Sequence, residues 1–154
     1  VNNEKKSLNL NESVFVVEQN VAGLLKQTNG KIINEISDDT TIKALPAYLN
    51  SILTNCITNS IKYRCEEKKP IIILSVQEDK NYTTLSVEDN GLGIDLEKYG
   101  DQLFGLYKTF HRNKESRGIG LYITKNQMEA MNGKITVEST PGQGSIFRFH
   151  FNKK

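Results

Sequence analysis

Three short stretches of the chain carry side chains whose types and spacing suit phosphate chemistry. In the first, Asn55, Asn59 and Lys62 fall within about 60° of one another on a helix turning ~100° per residue, so two amides and an ammonium share one stripe. An amide oxygen is a hard, neutral ligand suited to magnesium, which keeps several waters and takes few protein ligands plus substrate phosphates; a nearby ammonium suits phosphate charge. The stripe could hold a metal and a triphosphate, or be an ordinary solvated face. The second stretch, Asp89, Asn90, Gly91, Leu92 and Gly93, directly follows a strand-like run. Its glycines permit close backbone approach, and its carboxylate can accept from an exocyclic amine such as that of adenine. The bland alternative is an Asx turn. In the third, Arg117, Gly118, Ile119, Gly120 and Leu121, glycines open a helix, whose first N–H groups attract phosphate. Here the alternative is a glycine-rich turn packed on a neighbour. Neither the dinucleotide fingerprint nor the GxxxxGK[ST] phosphate loop occurs, which excludes those two nucleotide folds by motif.

The elements that must position these stretches follow from the hydrophobic periodicity. Residues 8–10 suit a short strand, and Asn11 can cap a helix in which Val14, Val17, Val21, Leu24 and Leu25 recur at helical spacing until Asn29 and Gly30. Residues 31–37 alternate weakly as a strand, and Asp38, Asp39, Thr40 and Thr41 read as a loop. Pro46 suits a first turn, and from there to about Arg64 one side carries Leu49, Leu53, Cys56, Ile57, Ser60 and Ile61. Residues 70–77 and 82–88 form a hairpin, residues 100–111 are irregular and aromatic-rich, residues 118–132 are helical, and residues 134–139 and 145–151 form a second hairpin. With no internal repeat, the expectation is a sheet with helices packed on it.

Composition narrows the function classes. The 154 residues carry 20 Lys+Arg against 18 Asp+Glu, a net charge of +2. That balance leaves no broad electrostatic footprint for nucleic acid. The apolar runs are far too short to cross a bilayer, so no direct membrane contact is expected. Cys56 and Cys65 stand nine apart with no CxxC pattern, which argues against a zinc site or redox pair and for a reduced compartment. The chain begins with Val1 rather than Met and looks like a piece of something longer.

Taken in order, the motifs resemble the catalytic ATP-binding domain of sensor histidine kinases, in the GHKL ATPase superfamily. Residues 55–63 (NCITNSIKY) look like the N box, usually NLLxNAxKY; residues 89–94 look like the first glycine box, and residues 104–110 are similar to the F box. Residues 116–121 match the second glycine box and residues 142–147 the closing GxGTxF segment. The resemblance spans roughly residues 8–151. It implies an α/β fold, a two-layer α/β sandwich with a mixed, mostly antiparallel sheet covered on one face by three helices, and a single catalytic domain over residues 1–154. ATP and magnesium are the implied cofactors. By the same resemblance Asn59 would ligate magnesium with Asn55 beside it, Lys62 would reach phosphate, Tyr63 would flank the nucleotide and Asp89 would accept the adenine amine. Gly91 and Gly93 would line the base pocket, and Gly118 and Gly120 would present amides to phosphate. Residues 111–117 would form a short mobile lid with Arg112, Lys114 and Arg117 available to the triphosphate, and Ile94, Lys108, Ile119 and Leu121 complete the implied ATP-binding set. Ser116 stands where the second glycine box usually begins with Gly, Thr109 where the F box often carries Arg, and Cys56 and Ser60 where the N box usually has Leu and Ala.

In the hydrolase cousins of these kinases a Glu stands four residues before the magnesium Asn. Here that position is Asn55, and an amide cannot take a proton from an attacking nucleophile. The pattern therefore points to a phosphoryl donor whose acceptor histidine lies on a separate dimerisation domain, with a response-regulator receiver domain further downstream. The two histidines here, His111 and His150, lack an acidic neighbour in an acceptor-like sequence. The chain alone is thus expected to be a cytoplasmic, monomeric piece that binds ATP without phosphorylating itself. The alternatives are a degenerate docking module that fails to hold ATP, and a GHKL-type ATPase or serine kinase active without a histidine partner.

Overall fold

The computed structural model describes the backbone of residues 4–100, 103–104 and 115–154, and the side chains of all of these except 115–120. Strand β1 (Lys6–Asn9) leads into helix α1 (Leu10–Thr28), followed by β2 (Lys31–Asn34), β3 (Thr41–Ala44) and helix α2 (Pro46–Lys62). Then come β4 (Ile71–Glu78), β5 (Tyr82–Asp89), the one-turn helix α3 (Leu96–Tyr99), helix α4 (Glu115–Ala130), β6 (Lys134–Thr140) and β7 (Gly144–Asn152). Five strands form a sheet in the order β2-β4-β5-β7-β6, antiparallel except for the parallel β2–β4 pair; β1 and β3 make a separate two-stranded ladder.

Alternation along the strands decides which sheet face the helices cover. Phe147, Phe149 and Phe151 on β7 are buried and sit opposite Val87, Leu85 and Thr83 of β5, while Ile72 and Leu74 extend the same layer onto β4. The apolar stripes of α1 (Leu10, Val14, Val17, Val21) and α2 (Leu49, Ile52, Leu53, Cys56, Ile57, Ile61) close over it with Leu121, Met128 and Met131, completing one core. The opposite face is polar. There His150 Nδ1 and Nε2 lie 2.9 and 2.8 Å from the hydroxyls of Thr84 and Thr136, and Arg148 pairs with Glu138. Partial burial, then the charges of Lys134 and Arg148, hold the His150 imidazole below its usual range, as befits a neutral strand residue.

Several local readings need correction. The side chain that caps α1 is Asn9, whose Oδ1 accepts from Glu12 N at 3.0 Å; Asn11 lies inside the helix, its Nδ2 donating to Ile36 O and Asp38 Oδ1. Thr41 belongs to β3, which pairs with β1 across the length of α1, so the loop is shorter than the polar run 38–41 suggests. The start of the last helix also differs. α4 begins at Glu115, so Gly118 and Gly120 fall inside it rather than at its opening, and the first unpaired amides belong to residues 115–117. A single turn, α3, capped by Asp95, which accepts from Lys98 N, was not legible in the periodicity.

Candidate functional site

The site forms where the C-terminal half of α2 meets the end of β5. Pro46 starts α2 with a fixed φ and no N–H to satisfy, and the buried face of the helix then sets the direction of every other side chain on it. Cys56 and Ser60, one turn apart, face inward; Asn55 and Asn59, also one turn apart, are half-buried beside them; Lys62 is exposed at the end. The expected stripe of two amides and an ammonium is thus present on one helix.

Asp89 ends β5 directly beneath Ser60. Its Oδ1 accepts from Gly91 N at 2.9 Å and its Oδ2 lies 3.0 Å from Ser60 Oγ. The loop after it is clamped from three sides. Leu92 N donates to Tyr63 O at 3.0 Å, Gly142 N donates to Leu92 O at 2.8 Å, and Ile94 N donates to Ser139 Oγ at 2.7 Å. Asn90 anchors the base of the loop, accepting from Ile71 N and donating to Lys69 O.

Two glycines follow from this clamping. Gly93 has φ +73°, and a Cβ there would lie 2.1 Å from Thr140 O; a Cβ on Gly91 would lie 2.7 Å from Tyr63 O. Close approach of the chain to itself, from α2 on one side and the β6–β7 turn on the other, is what demands glycine here.

A recess opens at this junction, lined by Cys56, Asn59, Ser60, Asp89, Leu121, Thr124, Phe147 and Phe149. Of the expected residues it unites Asn59, Asp89 and Leu121. The inner space of about 10 Å³ has room for roughly one water, so a purine would lie across it with its amine toward the carboxylate rather than fill it. Apolar walls and one anchored acceptor suit such a base. Burial pushes the Cys56 thiol up to about 12, with the Asp89 charge adding to the shift and backbone N–H groups opposing it, so the thiol stays protonated and inert.

The remaining expected residues are spread around this recess. Lys62 borders a second hollow with Arg64, Cys65, Glu66, Glu67 and Leu92. Tyr63 and Ile94 are buried, 3% and 1% exposed, and their backbones hold the loop. Arg117, Gly118, Ile119 and Gly120 lie in the first turns of α4. Lys108, Thr109, His111, Arg112 and Lys114 lie outside the described residues. Cys56, Ser60, Thr124, Phe147 and Phe149 also line the recess and are not among the residues the motifs imply. A sequence signal existed for Ser60, which shares the inward face of α2 with Cys56, and for Thr124, three residues after Leu121 on α4.

The family described as histidine kinase-, DNA gyrase B- and HSP90-like ATPase matches residues 44–154. Cyanobacterial phytochrome B of Nostoc sp. is 33% identical over 149 residues, covering 91% of this chain and 19% of that protein. The sensor protein kinase WalK of Staphylococcus haemolyticus is 33% identical over 120 residues, covering 75% of this chain and 20% of its own. The chain therefore spans about a fifth of the length of these relatives. Among solved structures, the catalytic domain of histidine kinase ThkA superposes with a TM-score of 0.83 at 24% identity, covering 97% of this chain and 98% of that one. Acinetobacter baumannii histidine kinase AdeS superposes with a TM-score of 0.80 at 20% identity, covering 99% and 68%.

Proposed function

As the chain belongs to the histidine kinase-, DNA gyrase B- and HSP90-like ATPase family, we propose that it binds magnesium-ATP and donates the γ-phosphate to a histidine on a separate helical dimerisation domain, as the catalytic domain of a two-component sensor kinase. The observation that carries this reading is the Asp89 carboxylate, fixed at the end of β5 and sharing a recess with Asn59. An acceptor held in place before the base arrives costs no ordering when it binds. Full-length ShkA, solved in complex with AMPPNP, has this fold (TM-score 0.82, 22% identity, over 98% of this chain and 31% of that one), which adds support from a protein of like architecture.

In this reading Asp89 receives the adenine amine, Leu121 and Phe149 flank the base, Asn59 holds the metal and Lys62 meets phosphate. Bound magnesium supplies charge neutralisation across the phosphates. Phosphoryl transfer asks little covalent work of a protein, so the residues here position and screen while an outside imidazole nitrogen attacks the γ-phosphorus in line and ADP departs. Asn55, in place of a carboxylate one turn before Asn59, leaves this helix no base to activate water.

Titration calorimetry with a non-hydrolysable ATP analogue, with and without magnesium, tests the reading. Asp89→Asn keeps one oxygen for Gly91 N and replaces the other, which would accept from the amine, with an amide donor, and should weaken binding at least ~100-fold, about 2.7 kcal/mol. Asn59→Ala should instead remove the magnesium dependence. Absence of binding by the folded wild-type chain would favour a docking module that has lost the nucleotide.

A further inference from the structure

The geometry points to Ser60 as the residue that aims the Asp89 carboxylate at the nucleobase, a positioning role that rests on the ATP-binding reading above. Ser60 Oγ lies 3.0 Å from Asp89 Oδ2 and 3.0 Å from Cys56 O, so one hydroxyl proton faces two acceptors. The Cys56 carbonyl already receives the Ser60 backbone N–H in the i→i−4 ladder of α2. A carboxylate is also the stronger acceptor, and hydrogen bonds to it are shorter and roughly twice as strong as neutral ones. The proton therefore goes to Asp89.

These ties on Asp89, from Gly91 N and from Ser60 Oγ, differ in origin. Gly91 N comes from the same loop, two residues on, and moves with it; Ser60 comes from α2, 29 residues away in sequence, and is itself buried. A donor on each oxygen restrains both the position and the plane of the carboxylate, and the Ser60 donor ties that plane to α2. The tie also links Asp89 to the residue next to Asn59, so the proposed base-reading and metal-holding groups are set by a single turn of helix. Where the N box that this stretch resembles usually has alanine, this chain carries a hydroxyl. Because alanine is the strongest helix former, Ser60→Ala should fold.

Calorimetry with two magnesium-bound probes separates aiming from packing: a non-hydrolysable ATP analogue, and the same analogue built on purine riboside, which lacks the 6-amino group. In Ser60→Ala the adenine probe should bind about tenfold more weakly and the amine-free probe within about twofold of wild type, because the hydroxyl acts only through the acceptor of that amine. Ser60→Cys, which keeps the size but is a weak donor, should reproduce the pattern. In an Asp89→Asn background Ser60→Ala should have no further effect. Equal weakening of both probes, or of neither, would overturn the aiming role while leaving ATP binding intact; failure of wild type to bind either probe would overturn both readings.

Discussion

At the scale of single residues, the two cysteines give a contrast that tests the site's packing. Cys56 is buried in the recess and its thiol is raised to about 12 by desolvation, whereas Cys65 is half-buried beside Lys62. A thiol-specific reagent at pH 8 should label Cys65 and leave Cys56 untouched until the chain unfolds. The sign for stability follows from linkage. A thiol whose folded pKa exceeds its unfolded value of 9.0 contributes fully below pH 9, and that contribution is lost as pH climbs from 9 toward 12. Denaturant melts between pH 8 and 10.5 should show this decline in wild type and a shallower one in Cys56→Ala. Residue types made Asn59 and Asp89 legible before any fold was known, because an amide one turn from another and a carboxylate before two glycines are local patterns. The Ser60–Asp89 tie was not legible, since it joins residues 29 apart and arises only when β5 is laid beneath α2.

At the scale of elements, α2 is what converts a stripe of polar residues into a site, and its buried face is what holds it there. Leu53, fully buried in the core, lies about 120° round α2 from Asn59. Leu53→Ala should cost about 2–5 kcal/mol, read from urea denaturation. A smaller loss would mean that the core can collapse around the gap and that α2 is less firmly seated than its burial implies. The long helices and both hairpins were legible because each writes its period over seven or more residues. Of the short elements, β1 and β2 were read with shifted or overlong bounds, at 8–10 and 31–37, while β3 and α3 were missed. β3 is four residues long, follows a run of Asp and Thr, and owes its conformation to β1 more than thirty residues earlier, so nothing within the segment marks it as a strand. The cap of α1 slipped from Asn11 to Asn9 because two asparagines stand two apart and only the contact of Asn9 Oδ1 with Glu12 N distinguishes them.

At the scale of the whole molecule, the decisive question is what the chain does without the rest of its relatives' length. Curated relatives run to five times the span matched here, and the recess holds a hydrogen-bonded carboxylate, Asp89, and an amide, Asn59, while position 55 is an amide rather than a carboxylate that could activate water. Electrostatic positioning alone holds a triphosphate ready without spending it, because the barrier to in-line displacement falls only when a nucleophile is placed as well. The chain with γ-labelled ATP should therefore retain no label and release phosphate no faster than buffer. Adding a dimerisation domain that bears the acceptor histidine should move label onto that domain, and Asn59→Ala or Asp89→Ala, each still cooperatively folded, should abolish the transfer. Steady phosphate release by the chain alone would identify an ATPase whose base lies elsewhere in the sequence. Transfer that survives Asp89→Ala would place the base on other groups and detach the carboxylate from nucleotide recognition.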